Sequence, residues 1–296
     1  MTLDQLRIFV AVAERQHVTR SAEALNIVQS AVSAAISGLE ARHAVKLFHR
    51  VGRGIELTEA GRIFLGEARA VLACAGTAEL VLADLSGLRR GTLRVHASQT
   101  IASHWLPRHL VAFRAAYPEV AIRLAISNTA DVARVVAEGA AELGFVEGEV
   151  DAPALASVAV ALDRLVLVVP PGHPLASADA LTAADLTAHA FVLREAGSGT
   201  RSAFEAALAA QGLAPDVLTV SLELPSNEAV LAAVKAGAGA SVLSEAVVAG
   251  ELAEGSLVAA RFSLPTRTFR MLRHKERYRS RAADALLDLI KQADAG

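Results

Sequence analysis

The stretch LRIFVAVAERQHVTRSAEALNIVQSAVSAAISGLE, residues 6–40, decides the fold of the N-terminal part of the chain. Apolar residues recur on one face over 3–15, which predicts an amphipathic helix. A second short helix, capped by Thr19 and followed by a turn at Asn26, leads into a third helix over 29–43. The face of the third helix opposite its apolar residues is polar and includes Gln29, Ser30 and Ser33. Two short helices around a tight turn, the second with a polar face, predict a helix-turn-helix.

A short basic hairpin is predicted directly after the third helix. KLFHRVGRGIELT, residues 46–58, places Gly52 and Gly54 around a turn with Arg53 at its tip. Residues 41–55 contain four Arg and Lys and no Asp or Glu, although the formal net charge of the whole chain is −2. The positive charge is therefore concentrated in one element, as contact with phosphates requires.

Together, the polar helix face and the basic hairpin predict that residues 1–58 form a winged helix-turn-helix domain that binds double-stranded DNA. Side-chain amides and hydroxyls read base edges, whereas Arg and Lys attract phosphates of any sequence. The candidates for contacts to bases are therefore Gln29, Ser30 and Ser33. The candidates for contacts to phosphates are Arg50 and Arg53. A plain helical hairpin with a solvated basic surface is the alternative.

Residues 59–90 are predicted to be a long helix followed by a hinge. Thr58 is a suitable N-cap, and no proline interrupts the helical pattern up to residue 88. Apolar residues keep near-heptad spacing along it, namely Leu65, Ala68, Leu72, Ala75 and Leu82. Thirty helical residues span about 45 Å, and a helix of that length with small residues on its seam is more often a partner-packing helix than a domain core. We expect this helix to pair with the same helix of a second chain in a homodimer, with the hinge at Gly87–Gly91.

Residues 91–296 are predicted to form a two-lobed α/β sensor domain, similar in architecture to periplasmic binding proteins. Strands and helices alternate from residue 92 onward, which favours largely parallel sheets. The order of parts also repeats, since in both halves a strand is followed by a Ser- and Thr-rich turn that opens a helix. The two halves, near 92–160 and 161–270, predict two lobes with a cleft between them.

Seven Ser, Thr and Asn residues stand where a strand gives way to a helix in these halves. They are Ser98, Thr100, Asn128, Thr129, Ser198, Thr200 and Asn227. Each one alone is typical of a helix cap. Their equivalence in the two halves predicts that several helix N-termini converge on one cleft, where free N–H groups suit an anionic small molecule. Glu147 and Glu195 stand near the same strand ends and suit an ammonium group, so an amino-acid-like ligand is the alternative.

The sequence offers no constellation for catalysis or for a metal. Its one cysteine, Cys74, permits no disulfide, which fits a reducing cytoplasm, and it is interpreted as a packing residue of the long helix. The nine His are scattered, and the HExxH, GxSxG and GxxxxGK[ST] patterns do not occur. The N-terminus lacks the pattern of a signal peptide, and no apolar stretch approaches the length of a membrane span. We expect a cytoplasmic protein with no catalytic residue, no metal, no cofactor and no membrane partner.

Several segments resemble one known family. The run at 6–40, with KLFHR at 46–50 and LTEAG at 57–61, resembles the DNA-binding domain of LysR-type transcriptional regulators. ASQTIASHWLP, SNTADVARVVAEG, FVEG, LREAGSGTR and HKERY resemble the sensor domain of the branch that contains the CysL and CbbR regulators. The resemblance implies promoter binding modulated by a small metabolite, and dimers that associate into tetramers through their sensor domains. It also implies target genes of sulfur and cysteine assimilation or of carbon assimilation.

The resemblance extends to individual positions of the predicted DNA-binding domain. Gln29, Ser30 and Ser33 match the recognition-helix positions that face the major groove, and Arg50 and Arg53 match the wing positions near phosphates. The chain departs from the family at Val28, where many members have Ser or Thr, which weakens the expected cap of the recognition helix. Ala34 and Ala35 stand where some members carry longer polar side chains. Specificity is therefore expected to depend more on the wing and on DNA shape.

Two other classes of protein have the same two-lobed sensor architecture. They are a solute-binding protein without catalytic activity and a small-molecule enzyme, and neither needs residues 1–90. The basic run from Arg267 to Arg281 is interpreted as a solvated strand and helix start rather than a second nucleic-acid surface. Glu276 interrupts that run, and no aromatic platform accompanies it.

Overall fold

The residues described by the computed structural model are 1–52, 54–85 and 91–294. The predicted wing tip, Arg53, and most of the predicted hinge, Gly87–Arg90, lie outside the described residues. Two compact units make up the chain: Met1–Ser86 with Glu138–Ala140, and Gly87–Ala137 with Ala141–Gly296. Among the described helices, none combines the length and the apolar character that crossing a membrane would need.

The N-terminal unit consists of three helices, a hairpin and a long helix. In chain order these are α1 (Leu3–Arg15), α2 (Val18–Leu25), α3 (Gln29–His43), β1 (Phe48–Val51), β2 (Gly54–Leu57) and α4 (Glu59–Leu85). Leu6 and Phe9 of α1 and Leu39 of α3 are almost fully buried in its core. The two strands pair antiparallel. This arrangement is the winged helix-turn-helix that the sequence predicts.

The start of the second helix differs from the prediction. The helix begins at Val18, so Thr19 lies in its first turn and does not cap it. The cap is His17, whose Nδ1 accepts a hydrogen bond from the N–H of Arg20 at 3.3 Å. Asn26 has a left-handed backbone with a φ of 54°, which is the turn conformation expected there.

The start of α4 is fastened to the hairpin. The hydroxyl of Thr58 accepts a hydrogen bond from the N–H of Gly61 at 3.0 Å and donates one to the carbonyl of Lys46 at 2.7 Å. A Cβ at Gly61 would lie 2.1 Å from the carbonyl oxygen of Leu47. The close approach of helix and hairpin therefore requires glycine at this position.

The C-terminal unit alternates strands and helices as predicted. Its first part contains β3 (Gly91–Ser98), α5 (Leu106–Ala116), β4 (Val120–Ser127), α6 (Thr129–Glu138), β5 (Leu143–Glu147) and β6 (Leu155–Asp163). The chain continues with β7 (Leu165–Val169), α7 (Ala183–Leu186), β8 (Ala190–Arg194), α8 (Gly199–Ala210), β9 (Thr219–Leu224), α9 (Asn227–Lys235) and β10 (Ser241–Ser244). It ends with α10 (Glu245–Glu254), β11 (Val258–Ala260), β12 (Arg267–His274) and α11 (Arg281–Asp294).

These strands form two lobes. The first lobe has a five-stranded sheet in the order β4-β3-β5-β12-β6. In the second lobe β7 lies between β10 and β11, and β8 pairs with β9. A bridge between Phe191 and Ala240 links β8 to the residue before β10. Separate hydrophobic clusters fill the two lobes.

The division of the chain between the lobes differs from the prediction of two successive halves. β12 returns to the first lobe and pairs antiparallel with both β5 and β6, and α11 packs on the same core. The sheets are therefore mixed, with parallel pairing of β3 with β4 and β5 and of β8 with β9. The alternation of strands and helices in the sequence does not predict that β12 returns to the first lobe, because this return is defined only by the pairing of β12 with β5 and β6.

Candidate DNA-reading surface and interlobe site

The polar face of α3 is exposed. Gln29, Ser30 and Ser33 are exposed, whereas Val32 and Leu39 on the other face are buried. In the described part of the chain, the three polar side chains take part in no hydrogen bond. Their amide and hydroxyl groups are therefore available to a partner outside the chain, such as a base edge.

The first turn of α3 is open as well. Val28 occupies the N-cap and contributes no side-chain hydrogen bond, in line with the departure from the family at this position. The N–H of Ala31 donates to the carbonyl of Val28 at 3.0 Å. The N–H groups of Gln29 and Ser30 precede any carbonyl of the helix that could accept them, so a phosphate oxygen can satisfy them.

Arg50 lies exposed on β1, opposite Ile55 of β2. Its guanidinium can reach a phosphate without breaking a contact within the described residues. Lys46 is different, because its Nζ lies 2.6 Å from Oε2 of Glu40. Arg53 lies outside the described residues, so its role stays a prediction.

Glu40 is a residue that the sequence reading did not single out. Its carboxylate, at the end of α3, is 7% exposed and accepts the N–H of Leu47 at 2.9 Å and that of Phe48 at 3.2 Å. Burial works to raise the pKa of Glu40, but the hydrogen bonds from Lys46 and these two N–H groups outweigh it and hold the pKa below its ordinary value. Glu40 thus sets the position of the hairpin relative to the recognition helix.

The apolar residues of α4 fall into two groups: some pack on the core of the N-terminal unit, and others are exposed. Ala68 is buried, and Leu65 and Leu72 pack against the hydrophobic core of the N-terminal unit, which includes residues of α1. These residues pack at least in part within their own chain, and their pairing with a second chain stays a prediction. Another set of apolar residues on α4 is exposed, namely Ile63, Val71 and Leu82. Cys74 is exposed too and is not the packing residue expected of it.

The candidate ligand residues lie along one edge of the sheet of the first lobe. β3 and β5 run parallel, and β12 runs antiparallel to both β5 and β6. The ends of β3, β5 and β6 and the start of β12 therefore meet at the same edge, with Ser98, Glu147, Asp163 and Arg267 at those positions. Ligands of α/β proteins bind at this kind of edge, beyond the carboxyl ends of the strands.

Six of the seven predicted residues are almost fully buried at or near this edge. They are Ser98, Thr100, Thr129, Ser198, Thr200 and Asn227. Asn128 is only half-buried, and its Oδ1 caps α6 by accepting the N–H of Asp131 at 3.0 Å. Capping of α6 therefore accounts for the polar side chain of Asn128. The other six side chains are buried, and buried polar groups need hydrogen-bond partners.

One group of these residues joins the two lobes at the start of α9. Nδ2 of Asn227 donates to the hydroxyl of Thr100 at 3.1 Å, and Nη1 of Arg194 donates to Oδ1 of Asn227. The side chain of Gln99 accepts the backbone N–H of Asn227 at 2.7 Å and donates to Glu228 at 2.7 Å. The first lobe thus occupies the helix N-terminus that the sequence reading assigned to a ligand.

A second group is centred on Arg267. Its Nε donates to Asp163 at 2.7 Å, and its Nη1 donates to the hydroxyl of Thr200 at 3.0 Å. The other oxygen of Asp163 accepts from the hydroxyl of Ser244 at 2.6 Å. Arg267 is 6% exposed, so its interpretation as part of a solvated strand is wrong.

A third contact between the lobes surrounds Gly199 at the start of α8. The hydroxyl of Thr129 donates to Oε2 of Glu147 at 3.1 Å. A Cβ at Gly199 would lie 2.7 Å from the hydroxyl of Thr129 and 2.8 Å from Oε2 of Glu147. The N–H of Ala130 also donates to the carbonyl of Gly197 at 3.2 Å. Contact this close permits no side chain at residue 199.

Two hydrogen-bond donors at this edge are left without a partner in the described structure. They are the hydroxyl of Ser98 and Nη2 of Arg267, and both atoms are buried. Nη2 is 4.0 Å from Oε1 of Glu147, which is too long for a hydrogen bond. A buried donor without an acceptor costs about 1–3 kcal/mol, and a bound oxygen atom would remove that cost.

The charged residues Arg194, Asp163 and Arg267 were not among the sequence candidates for this site. Arg194 ends the strand AFVLR, which is otherwise apolar, and its Nε donates to Glu195 at 2.8 Å. A charge at the end of an apolar strand was a usable signal. Asp163 and Arg267 are far apart in sequence, and only the pairing of β6 with β12 brings them together.

Comparison with known families matches both parts of the chain. Residues 3–62 match the family model for the bacterial regulatory helix-turn-helix protein, lysR family. Residues 86–295 match the LysR substrate binding domain. A protein of Nostoc sp. (strain PCC 7120) named "Probable RuBisCO transcriptional regulator" is 34% identical over 289 residues, which cover 96% of this chain and 86% of that protein.

Solved structures show the same architecture. Full-length CbnR in complex with its target DNA superimposes with a TM-score of 0.69 at 24% identity, over 99% of this chain and all of that one. The regulatory domain of Synechocystis PCC6803 CcmR in complex with 2-PG superimposes with a TM-score of 0.63 at 27% identity, over 69% of this chain and 97% of that one. The LysR substrate binding domain alone covers more than half of the chain, and the chain belongs to the LysR family of transcriptional regulators.

Proposed function

We propose that this regulator binds promoter DNA through α3 and the β1–β2 hairpin. We also propose that a small anion changes that binding when it binds at the interlobe site, which is the sheet edge with Ser98 and Arg267 and the second-lobe residues that contact it. Ser98 and Arg267 form the anion site in this proposal. The observation that carries the proposal is the pair of buried donors without acceptors, the hydroxyl of Ser98 and Nη2 of Arg267.

Contacts to DNA are assigned by exposure and chemistry. Gln29, Ser30 and Ser33 present unused donors and acceptors on one exposed face, and they contact base edges in the major groove. Arg50 contacts the phosphate backbone, and Arg53 at the predicted wing tip does the same. The relative CbnR, solved with its target DNA, supports this use of the fold.

An anionic ligand is favoured over an ammonium compound. Nη2 of Arg267 can only donate, so it needs an acceptor oxygen on the ligand, and the hydroxyl of Ser98 can donate to the same group. Glu147 already accepts a hydrogen bond from Thr129. The 2-PG found with the regulatory domain of CcmR makes this molecule the first compound to test. Ligand binding shifts the lobe arrangement only by its differential affinity for the two arrangements.

The relatives support a proposal for the regulated genes, the assembly and the location. Relatives named as RuBisCO transcriptional regulators favour carbon assimilation genes over sulfur assimilation genes. The protein acts in the cytoplasm as a homodimer or homotetramer, since it must reach promoter DNA, and it performs no catalysis. The exposed apolar residues Ile63, Val71 and Leu82 of α4 form the surface for the second chain.

The decisive experiment replaces Ser98 by alanine. Because the hydroxyl of Ser98 has no partner in the described structure, its removal should leave the free energy of unfolding unchanged or slightly higher. If the hydroxyl binds the effector, the affinity should fall about tenfold. Calorimetry of the full-length protein with 2-PG and a panel of small carboxylates and phosphates measures this affinity.

The matched control is Ser103→Ala, because Ser103 is exposed and lies on the same segment of the first lobe. That variant should bind the effector as tightly as the wild type. Equal affinity in wild type and Ser98→Ala would place the effector elsewhere. Thr100→Val is a poorer test, since it would leave Nδ2 of Asn227 without its acceptor and destabilise the fold.

A further inference from the structure

A second cavity lies in the first lobe, away from the interlobe edge. Its volume is about 360 Å³, within the range of small-molecule sites. It opens between strand β6 and helix α11, on the face of the sheet that α11 covers. Val158 of β6 is five residues before Asp163, so the cavity borders the middle of the strand and not its end.

The floor of this cavity is apolar. Val158 pairs in register with Met271 of β12, and Val160 lies further along the same face. Leu287 and Ile290 of α11, both in the core of the lobe, close the cavity from above. An apolar floor of this kind suits a hydrocarbon or aromatic body.

The rim of the cavity is positively charged. Arg273 of β12, Arg279 before α11 and Lys291 of α11 all line it. Arg273 follows Met271 by two residues and therefore shares its face of the sheet. Lys291 follows Leu287 by four residues, so the two side chains are neighbours on the helix surface, with Lys291 exposed at the rim.

These cations are only partly compensated. Arg279 pairs with Asp284. Arg273 donates to the carbonyl of His274 at 3.3 Å, and Lys291 has no partner within the described residues. Long cationic side chains often cover apolar surface with their stems, but here three of them come from three separate segments and meet at one opening. Three like charges repel one another, and a bound anion would relieve that repulsion.

We propose that this cavity is a second ligand site, which binds an amphipathic anion with an apolar body. The apolar body lies on Val158, Val160 and Met271, and the anionic group pairs with Lys291 and Arg273. The site is independent of the interlobe site. The regulator thereby has a place for a second signal of a different chemical class.

The test uses 6-fluorohexanoate and its neutral counterpart 6-fluorohexan-1-ol as probes for fluorine NMR titration of the full-length protein. The acid should bind, and the alcohol should bind at least tenfold more weakly because it lacks the charge. Lys291→Gln and Arg273→Gln should each weaken binding of the acid about tenfold, and Val160→Phe should weaken it by filling the cavity. Arg261→Gln removes an exposed cation of the second lobe and should change nothing.

Four results would overturn the proposal. They are absence of binding up to about 10 mM acid, equal binding of the alcohol, unchanged affinity in both cation variants, and loss of binding in Ser98→Ala instead. A fifth result has the same force: if Val160→Phe lowers the molecular mass in sedimentation equilibrium, a second copy of the chain covers the cavity. Circular dichroism of each variant shows that the fold is retained.

Discussion

On α3, Gln29, Ser30 and Ser33 are exposed and unbonded, whereas at the interlobe site Thr100, Thr200 and Asn227 are almost fully buried and bonded to one another or to buried arginines. Both sets consist of small polar side chains near helix starts. Their difference lies in where their partners are. A DNA surface keeps its polar groups free for a large external ligand, while an interlobe site satisfies them internally until a small ligand competes for them.

The comparison predicts that substitution on the exposed face affects binding without affecting stability. Ser33→Trp should lower affinity for operator DNA at least a hundredfold, because the indole fills space that a base edge would occupy. Its free energy of unfolding should match that of the wild type, since Ser33 is exposed. Fluorescence anisotropy with a labelled promoter fragment measures the first quantity, and urea denaturation the second.

Ser103→Trp, at an exposed serine of the sensor unit, is the matched control and should bind DNA normally. Unchanged DNA affinity in Ser33→Trp would remove α3 from the reading surface.

A contrast between packed and exposed residues also occurs within α4, where Leu72 packs on the core of the N-terminal unit and Leu82 is 68% exposed. Leu72→Glu should destabilise the head by about 2 kcal/mol or more, because it puts a charge into an apolar contact. Leu82→Glu should leave the unfolding of the chain itself unchanged and dissociate the oligomer at concentrations where the wild type is assembled. Analytical ultracentrifugation and denaturation curves separate the two effects.

Leu82→Met keeps the apolar character of residue 82 and should assemble like the wild type. An intact assembly in Leu82→Glu would mean that the second chain contacts a different face of α4.

Within the N-terminal unit, Glu40 differs from the exposed polar residues of α3, because its carboxylate is buried and hydrogen-bonded inside the chain. Glu40→Gln should lower the free energy of unfolding by about 2 kcal/mol, since charge-assisted hydrogen bonds are worth roughly 1.5–3 kcal/mol. Because the pKa of Glu40 is lowered on folding, its contribution is fully present above the pKa of the unfolded chain and is lost as the pH falls through the folded value. Denaturation at a series of acidic pH values measures it.

The control for this pH dependence is Glu56→Gln, because Glu56 is exposed on the hairpin and has only a 3.7 Å contact with His49. If wild type and Glu40→Gln lose stability in parallel as the pH falls, Glu40 does not fasten the hairpin to α3.

The smallest expected effect is that of a single phosphate contact. Arg50→Ala should weaken binding a few-fold on every DNA sequence and reduce the slope of log K against log salt by about 0.9. The same change is expected for Arg53→Ala. A loss confined to the operator sequence, with an unchanged salt slope, would instead make the residue a reader of bases.

Local patterns in the sequence were sufficient for the reading head. The apolar spacing of 3–15 and 29–43 predicted α1 and α3 with their limits, and Gly52 and Gly54 predicted the hairpin. These features depend on residues close in the chain, where helix periodicity and turn preferences act directly. The error at Thr19 is local too, since His17 supplies the cap in its place.

What the sequence determined by itself is therefore the architecture, the family and the polar turns that open α6, α8 and α9. Only the tertiary structure decided what those turns do. The return of β12 to the first lobe brings Arg267 against Asp163 and Thr200, and contact between the lobes puts Gln99 on the start of α9. These partners are separated by 67 to 128 residues, and no local preference of the chain encodes them, because packing of the whole domain determines which buried charges meet.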